Sequence, residues 1–203
     1  MRTGIPTYRL PREALDHDID RILALGVETV MDTRIDHDRL MELTQEFDAV
    51  LAATGLQHLT SVDLGVDLGS GSGKVMQGIE FLDAVCRSEM SVEGEDVIVV
   101  GGGNTAVDAA RSAYRLGAAS VKIVYRRTRA EMPAIAEEVD DAMDEGIQVE
   151  FLTAPLTISR DNGKRHLRCQ RMELGEPDES GRRRPMAVDG SDFEVPCDRV
   201  ILA

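Results

Sequence analysis

The chain has 203 residues, enough for one good-sized core or two smaller units, and one complete domain plus part of another is the expected organisation. Hydrophobic residues make up 42%, charged residues 30% and aromatics 3%, with no Trp, a profile that excludes fibrous and disordered classes. A formal net charge of -14 excludes a non-specific electrostatic grip on nucleic acid or anionic lipid, so neither is an expected partner. Any phosphate bound here must meet a local positive site.

Cys86, Cys169 and Cys197 are far apart, odd in number and without a CxxC pair, which argues against a disulfide framework, a zinc site or an iron–sulfur cluster within the chain. A reducing cytoplasm is the expected location. The opening MRTGIPTYRLPREAL lacks the apolar core of a signal peptide, and no run approaches the roughly 20 apolar residues of a membrane span.

In chain order, Ala14, Leu15, Ile19, Ile22 and Leu23 recur at helical spacing and predict a helix over 12–25, stopped by Gly26 and followed by a short strand over 27–31. The pattern repeats: a helix over 36–47, then a buried strand in DAVLAATG, residues 48–55. Residues 56–74, rich in Gly and Ser, read as a connector, and 75–90 as a helix bearing Ile79, Phe81, Leu82 and Val85. The expected division is a partial unit over 1–60, connector and helix over 61–90, and a main domain over 91–203. In that domain strands at 96–100, 121–125 and 147–152 alternate with helices at 105–116 and near 134–144, which implies a parallel sheet with right-handed crossovers. Beyond Pro155, Asn162-Gly163 between two strand-like runs signals a hairpin, GEPDESGRRRP reads as a solvated loop, and DFEVPCDRVILA resumes strand character. The fold class is therefore α/β: a Rossmann-like three-layer fold with a parallel sheet and an antiparallel β meander, plus a partial second α/β unit.

The segment DVIVVGGGNTAVDAARSAYRLGA carries the chemistry. An apolar strand runs into Gly101-Gly102-Gly103-Asn104-Thr105-Ala106, and a small-residue helix follows at once, so GxGxxA stands in its required context. Gly101 permits the tight turn, Gly103 lets the backbone approach a pyrophosphate, and Ala106 allows close helix–strand packing, while amides at the helix start hold the anion. The second strand of such a unit ends beside the adenosine ribose, where a carboxylate would suit NAD. Here it ends on Arg126 and Arg127, with Arg129 beyond, and guanidinium groups at that place suit the 2′-phosphate of NADPH.

Other candidates carry less. His17, His37, His58 and His166 lack metal-ligand spacing, and no metal site is expected. Glu137, Glu138, Asp140, Asp141, Asp144 and Glu145 read as a solvated helix face, Asp108 as a residue of the motif helix that is structural or else lines the cofactor groove, and Arg182, Arg183 and Arg184 as exposed loop residues. No catalytic triad, Cys-His pair or paired-carboxylate set can be assembled, so no residue is assigned to catalysis.

GIPTYRLP, the AATG at 52–55, VVGGGNTAVDAARSAYRLGA, VYRRTRAEMPA and the closing DRVILA occur in an order that resembles the small (beta) subunit family of NADPH-dependent glutamate synthase, with the similar NADPH and flavin portion of dihydropyrimidine dehydrogenase. The resemblance covers nearly the whole chain. It implies that FAD is held in one dinucleotide-binding domain of the full-length protein and NADPH in a second inserted into the first, that hydride passes from nicotinamide to flavin, and that electrons leave through iron–sulfur modules of the same protein or a partner subunit. It also implies that Gly102 to Thr105 meet the NADP pyrophosphate, that Arg126, Arg127 and, less closely matched, Arg129 meet the 2′-phosphate, and that Ala53, Thr54 and Gly55 lie near the flavin. The family's flavin motif would precede GIPTYRLP, so this chain is expected to be an excised portion, inactive alone. The alternative is a non-catalytic NADP(H)-binding or sensor module, for which residues 1–60 would have little use.

Overall fold

The computed structural model describes residues 2–55, 74–161, 164–177 and 181–203. Two compact units emerge, Met1–Leu10 with Ser61–Ala203, and Pro11–Thr60. Residues 4–10 of the GIPTYRLP segment group with the larger unit, where the Tyr8 and Arg9 side chains are bonded to Asp108. The helix expected in a connector belongs there too, since its Phe81 and Leu82 are fully buried in that unit's core.

The smaller unit holds two helices, α1 (Arg12–Leu23) and α2 (His37–Glu46). Gly26, at φ +89°, ends the first as expected, and the Asp36 carboxylate accepts the Arg39 N–H to start the second. The strands predicted over 27–31 and 48–55 form neither helix nor strand and join no ladder among the described residues. Val30 (80%) and Leu51 (90%) stand exposed. Periodicity registers a strand's side chains but not whether a neighbour supplies its backbone partners.

The larger unit is built on a five-stranded sheet in the order β1-β9-β2-β3-β4, every pair parallel: β1 (Val75–Gln77), β2 (Asp96–Val100), β3 (Ser120–Val124), β4 (Gln148–Glu150) and β9 (Arg199–Leu202). On one face lie α3 (Gly78–Cys86), α4 (Asn104–Arg115) and α5 (Ala136–Asp144). Val97 and Val99 face these helices, whereas Ile98 and Val100 belong to a second core shared with Leu167, Cys169 and Cys197. Strands buried on both faces read as continuous apolar runs, which is what DVIVV is. The third layer is antiparallel: β5 (Thr153–Asp161), β6 (Lys164–Pro177), β7 (Arg183–Ala187) and β8 (Phe193–Cys197), with β6 pairing all three others. The Rossmann-like three-layer α/β fold expected from the sequence is the fold found.

Three local readings differ. Residues 75–77 form an edge strand before α3 instead of its first turn, because Val75 to Gln77 pair with Val200 to Leu202. DFEVPCDRVILA is two strands in different sheets: β8 joins β6, the Asp198 N–H then donates to the Asp96 carbonyl at 2.8 Å, and β9 enters the parallel sheet. Part of the predicted loop GEPDESGRRRP is strand, since β7 begins at Arg183. The predicted turn at Asn162-Gly163 and the connector over 56–73 lie outside the described residues. No helix among the described residues is long and apolar enough to cross a membrane.

Candidate cofactor site

The carboxyl end of the parallel sheet gathers the predicted residues. Leaving β2, the chain connects to β3 on one side while β9 flanks β2 on the other, so the Gly101–Gly103 turn lies where strand order reverses, the position at which open α/β sheets leave a crevice. Gly101 has φ +146° and donates its N–H to the Val124 carbonyl at 3.1 Å; a Cβ there would lie 1.8 Å from the Ala203 carbonyl oxygen. Gly102 lies against the Tyr125 ring, which a Cβ would meet at 2.4 Å. Gly103 differs: a Cβ there would meet nothing within 4 Å, so this glycine borders open space. Sequence reasoning gave Gly101 and Gly103 these roles but missed the demand Tyr125 places on Gly102.

Ala106, Ala109, Ala110 and Ala113 are fully buried and bring α4 close to the sheet. Gly103 is the α4 N-cap and offers no side-chain cap. Its carbonyl accepts the N–H groups of Ala106 and Val107, at 3.0 and 3.2 Å. Among the described residues, the N–H groups of Gly102, Gly103, Asn104 and Thr105 find no acceptor. Four backbone donors therefore converge where the helix dipole is positive, an arrangement suited to a pyrophosphate. The Asn104 side chain is already used: its Oδ1 accepts the Ile135 N–H at 3.0 Å. Together with the bond from Ala134 N–H to the Gly102 carbonyl (3.1 Å), it ties the chain beyond β3 to the glycine turn.

That chain carries the three predicted arginines, which meet three different environments. Arg126 is exposed and has no hydrogen-bond or ion-pair partner among the described residues. Arg127 is buried, 5% exposed, and its Nε donates to the Arg183 carbonyl at 2.8 Å. Arg129 donates to the Ala136 carbonyl at 2.7 Å and to Asp140 at 2.6 Å. The loop is itself braced: Tyr125 OH donates to the Glu131 carbonyl at 2.8 Å, and the Glu131 carboxylate accepts from the Thr128 hydroxyl and, at 3.2 Å, from its N–H. The hydrogen bond from Thr128 is the chief reason the Glu131 carboxyl sits below its ordinary value. Ala53, Thr54 and Gly55 lie in the smaller unit, exposed and outside any helix or strand, with Gly55 at φ +78°.

Asp108 is structural, the first of the two roles its place in the motif helix suggested. It accepts from the Tyr8 hydroxyl at 3.2 Å and from Arg9 Nε at 3.0 Å, and burial, partly offset by Arg9, raises its carboxyl above the ordinary value. Burial, with Asp108 beside it, likewise pushes the Tyr8 phenol up. The acidic face of α5 is not simply solvated. Glu138, Asp141 and Glu145 pair with Arg111 at 2.6, 3.3 and 2.7 Å, a match that needed two helices to be seen together. Nearby, Pro6, Thr7, Tyr8, Val85, Cys86, Ser112, Arg115 and Leu116 line a cleft of about 240 Å³, with the Arg115 guanidinium 4.0 Å from the Tyr8 ring centre. Among the described residues no three His, Cys, Asp or Glu side chains are grouped to hold a metal ion.

Residues 7–203 match the pyridine nucleotide-disulphide oxidoreductase family. The chain belongs to this family. The chain is 46% identical to the NADP(+)-dependent formate dehydrogenase subunit beta of Moorella thermoacetica, over 100% of this chain and 29% of that protein. It is 35% identical to the glutamate synthase [NADPH] small chain of Escherichia coli K12, over 98% of this chain and 45% of that one, in line with the resemblance carried by its motifs. It thus spans less than half the length of both relatives. In structure it is similar to FprA of Mycobacterium tuberculosis, solved in complex with NADPH: TM-score 0.76, 16% identity, covering 100% of this chain and 60% of that one. At that identity the likeness establishes the fold.

Proposed function

We propose that the larger unit is the NADPH-binding portion of a flavin-dependent oxidoreductase, which presents the nicotinamide to FAD held by the full-length protein. The observation that carries this reading is the convergence of four acceptor-less N–H groups, from Gly102 to Thr105, beside a glycine that borders open space, with an unpaired Arg126 at the tip of the adjacent strand. The donor set fits the group: a pyrophosphate needs backbone amides at a helix start, and a 2′-phosphate needs a guanidinium that no carboxylate already holds. NADPH, when bound, supplies a hydride. The chain's part is placement: Gly101 and Gly102 shape the turn, Asn104 and Tyr125 brace the loop beside it, and Arg126 selects the phosphorylated ribose.

The names of the relatives support the choice of cofactor, since two proteins of the same family, a formate dehydrogenase subunit and a glutamate synthase chain, carry NADP or NADPH in theirs. On this reading Ala53, Thr54 and Gly55 serve the flavin side, and electrons pass on through iron–sulfur modules of the same protein or a partner, in a cytoplasmic complex. Calorimetric titration tests the cofactor assignment. Replacing Arg126 by Ala removes charge-assisted bonds contributing about 1.5–3 kcal/mol each, so NADPH binding should weaken about tenfold or more and NADH binding stay unchanged. Equal losses for both cofactors, or none, would overturn it.

A further inference from the structure

The cleft beside residues 6–8 lies at the opposite end of α4 from the glycine turn. Its α4 residues begin at Ser112 and end at Leu116, about 12–18 Å along the helix from Asn104. Three of its side chains carry hydrogen-bonding capacity that the fold does not use. Ser112 is only 5% exposed and lines the cleft, yet its hydroxyl has no hydrogen-bond partner among the described residues. A buried hydroxyl without a partner is costly, and a molecule in the cleft that bonded to it would remove that cost. Thr7, which is exposed, has an equally unpartnered hydroxyl among the described residues. Arg115 commits only its Nη2, to Glu145 at 2.6 Å, so its Nε and Nη1 have no acceptor among the described residues. The Tyr8 ring, 4.0 Å from that guanidinium, holds it at the wall. Pro6, Val85 and Leu116 make much of the remaining lining apolar.

Electrostatics narrows the occupant. Both α3 and α4 end here, with Cys86 the last residue of one and Leu116 the C-cap of the other, and each helix end carries roughly half a negative charge. The Arg115 charge is already met by Glu145, so a carboxylate or phosphate in the cleft would face two negative helix ends with no free cation to offset them. An ammonium fares no better, since no carboxylate lines the cleft and the guanidinium does. An uncharged carbonyl, by contrast, accepts from Arg115 Nε or Nη1, and an amide N–H beside it donates to a hydroxyl oxygen. The volume of about 240 Å³ corresponds to about eight waters, which suits a single ring or short chain and excludes a dinucleotide.

We propose that this cleft is a binding site for a small uncharged amide on an apolar ring or chain, held by Ser112, Thr7 and Arg115. The site is separate from the glycine turn and stands whether or not NADPH binds there.

The test is an NMR titration of the full chain with benzamide, benzoate and benzylamine, probes of one shape and three charges. Benzamide should shift the backbone signals of Thr7, Ser112, Arg115 and Leu116, slow alkylation of Cys86 in the same cleft, and bind about tenfold or more tighter than either charged probe. Ser112→Ala should weaken benzamide about three- to tenfold without lowering the unfolding midpoint, because the hydroxyl it removes supports nothing inside the fold. A structural role for Ser112 would instead lower the midpoint. Arg115→Gln should weaken benzamide as well, and Ser112→Ala decides the matter if that variant does not fold. No binding by any probe, benzoate or benzylamine binding as tightly as benzamide, or wild-type benzamide affinity in Ser112→Ala would each overturn the proposal. The outcome of an NADP+ titration leaves it untouched as long as the benzamide shifts remain in the cleft, and benzamide shifts at Gly102 to Thr105 in their place would also overturn it.

Discussion

Gly102 and Gly103 stand side by side in the turn, yet a side chain should have opposite consequences at the two positions. At Gly103 an added Cβ meets nothing within 4 Å, and the backbone, at φ -89° and ψ 176°, already lies where any residue is at ease. Gly103→Val should therefore cost only the N-cap preference, about 1 kcal/mol, and leave the unfolding midpoint within a few degrees of the wild type. Its branched side chain would stand before the amides of Asn104 and Thr105, so NADPH and NADH binding should both fall below detection. At Gly102 an added Cβ would lie 2.4 Å from the Tyr125 ring, itself 6% exposed and bonded through its hydroxyl to Glu131. Gly102→Ala should cost about 1–3 kcal/mol by overpacking. Denaturant unfolding and calorimetry on both variants check the pair. A folded Gly103→Val that binds NADPH normally would show that the phosphate is not held at this turn.

Arg9→Ala strips a buried Asp108 of its cation and should cost about 1–3 kcal/mol in urea unfolding, with less lost from Arg9→Ala combined with Asp108→Asn than from the sum of the singles. Burial pushes Glu95 up, but hydrogen bonds from Arg199 and Lys74 outweigh it and hold the carboxyl below its ordinary value. Its stabilising share is therefore present above about pH 4.3 and lost as pH falls through the lowered value, and Glu95→Gln should flatten the acid limb of a stability–pH curve. A limb of unchanged slope would refute the pairing. Burial pushes the Cys169 thiol up to about 12 and the Cys197 thiol up to about 11, while Cys86 is half-buried. Mild alkylation at pH 8 followed by mass spectrometry should label Cys86 alone until the protein is unfolded.

Local pattern made most of the larger unit legible. An apolar run entering Gly101–Gly103, then small residues at every turn of α4, states a strand, a close-approach turn and a packed helix in one segment. What escaped depended on pairs distant in sequence. Val75 to Gln77 read as helix because only β9, over 120 residues later, makes them a strand. Arg126 and Arg127 read alike, whereas in the structure Arg126 is exposed and Arg127 is buried with its Nε on the Arg183 carbonyl. The motif gave the Asn104 side chain no role of its own, and only the chain beyond β3, 31 residues later, supplies one: its Oδ1 accepts the Ile135 N–H. In the smaller unit periodicity found both helices, but the ladders its two apolar runs would need are not there among the described residues.

The central claim is that NADP(H) sits on the amides of the glycine turn with its 2′-phosphate at Arg126. Backbone and arginine side-chain resonances followed by NMR during titration with NADP+, and in parallel with NAD+, test it most directly. The account predicts the largest shifts at the N–H groups of Gly102, Gly103, Asn104 and Thr105 for both nucleotides, with an added shift at Arg126 Nε for NADP+ alone. Shifts that instead cluster in the cleft around Tyr8, Cys86 and Arg115, leaving the four amides unmoved, would contradict it.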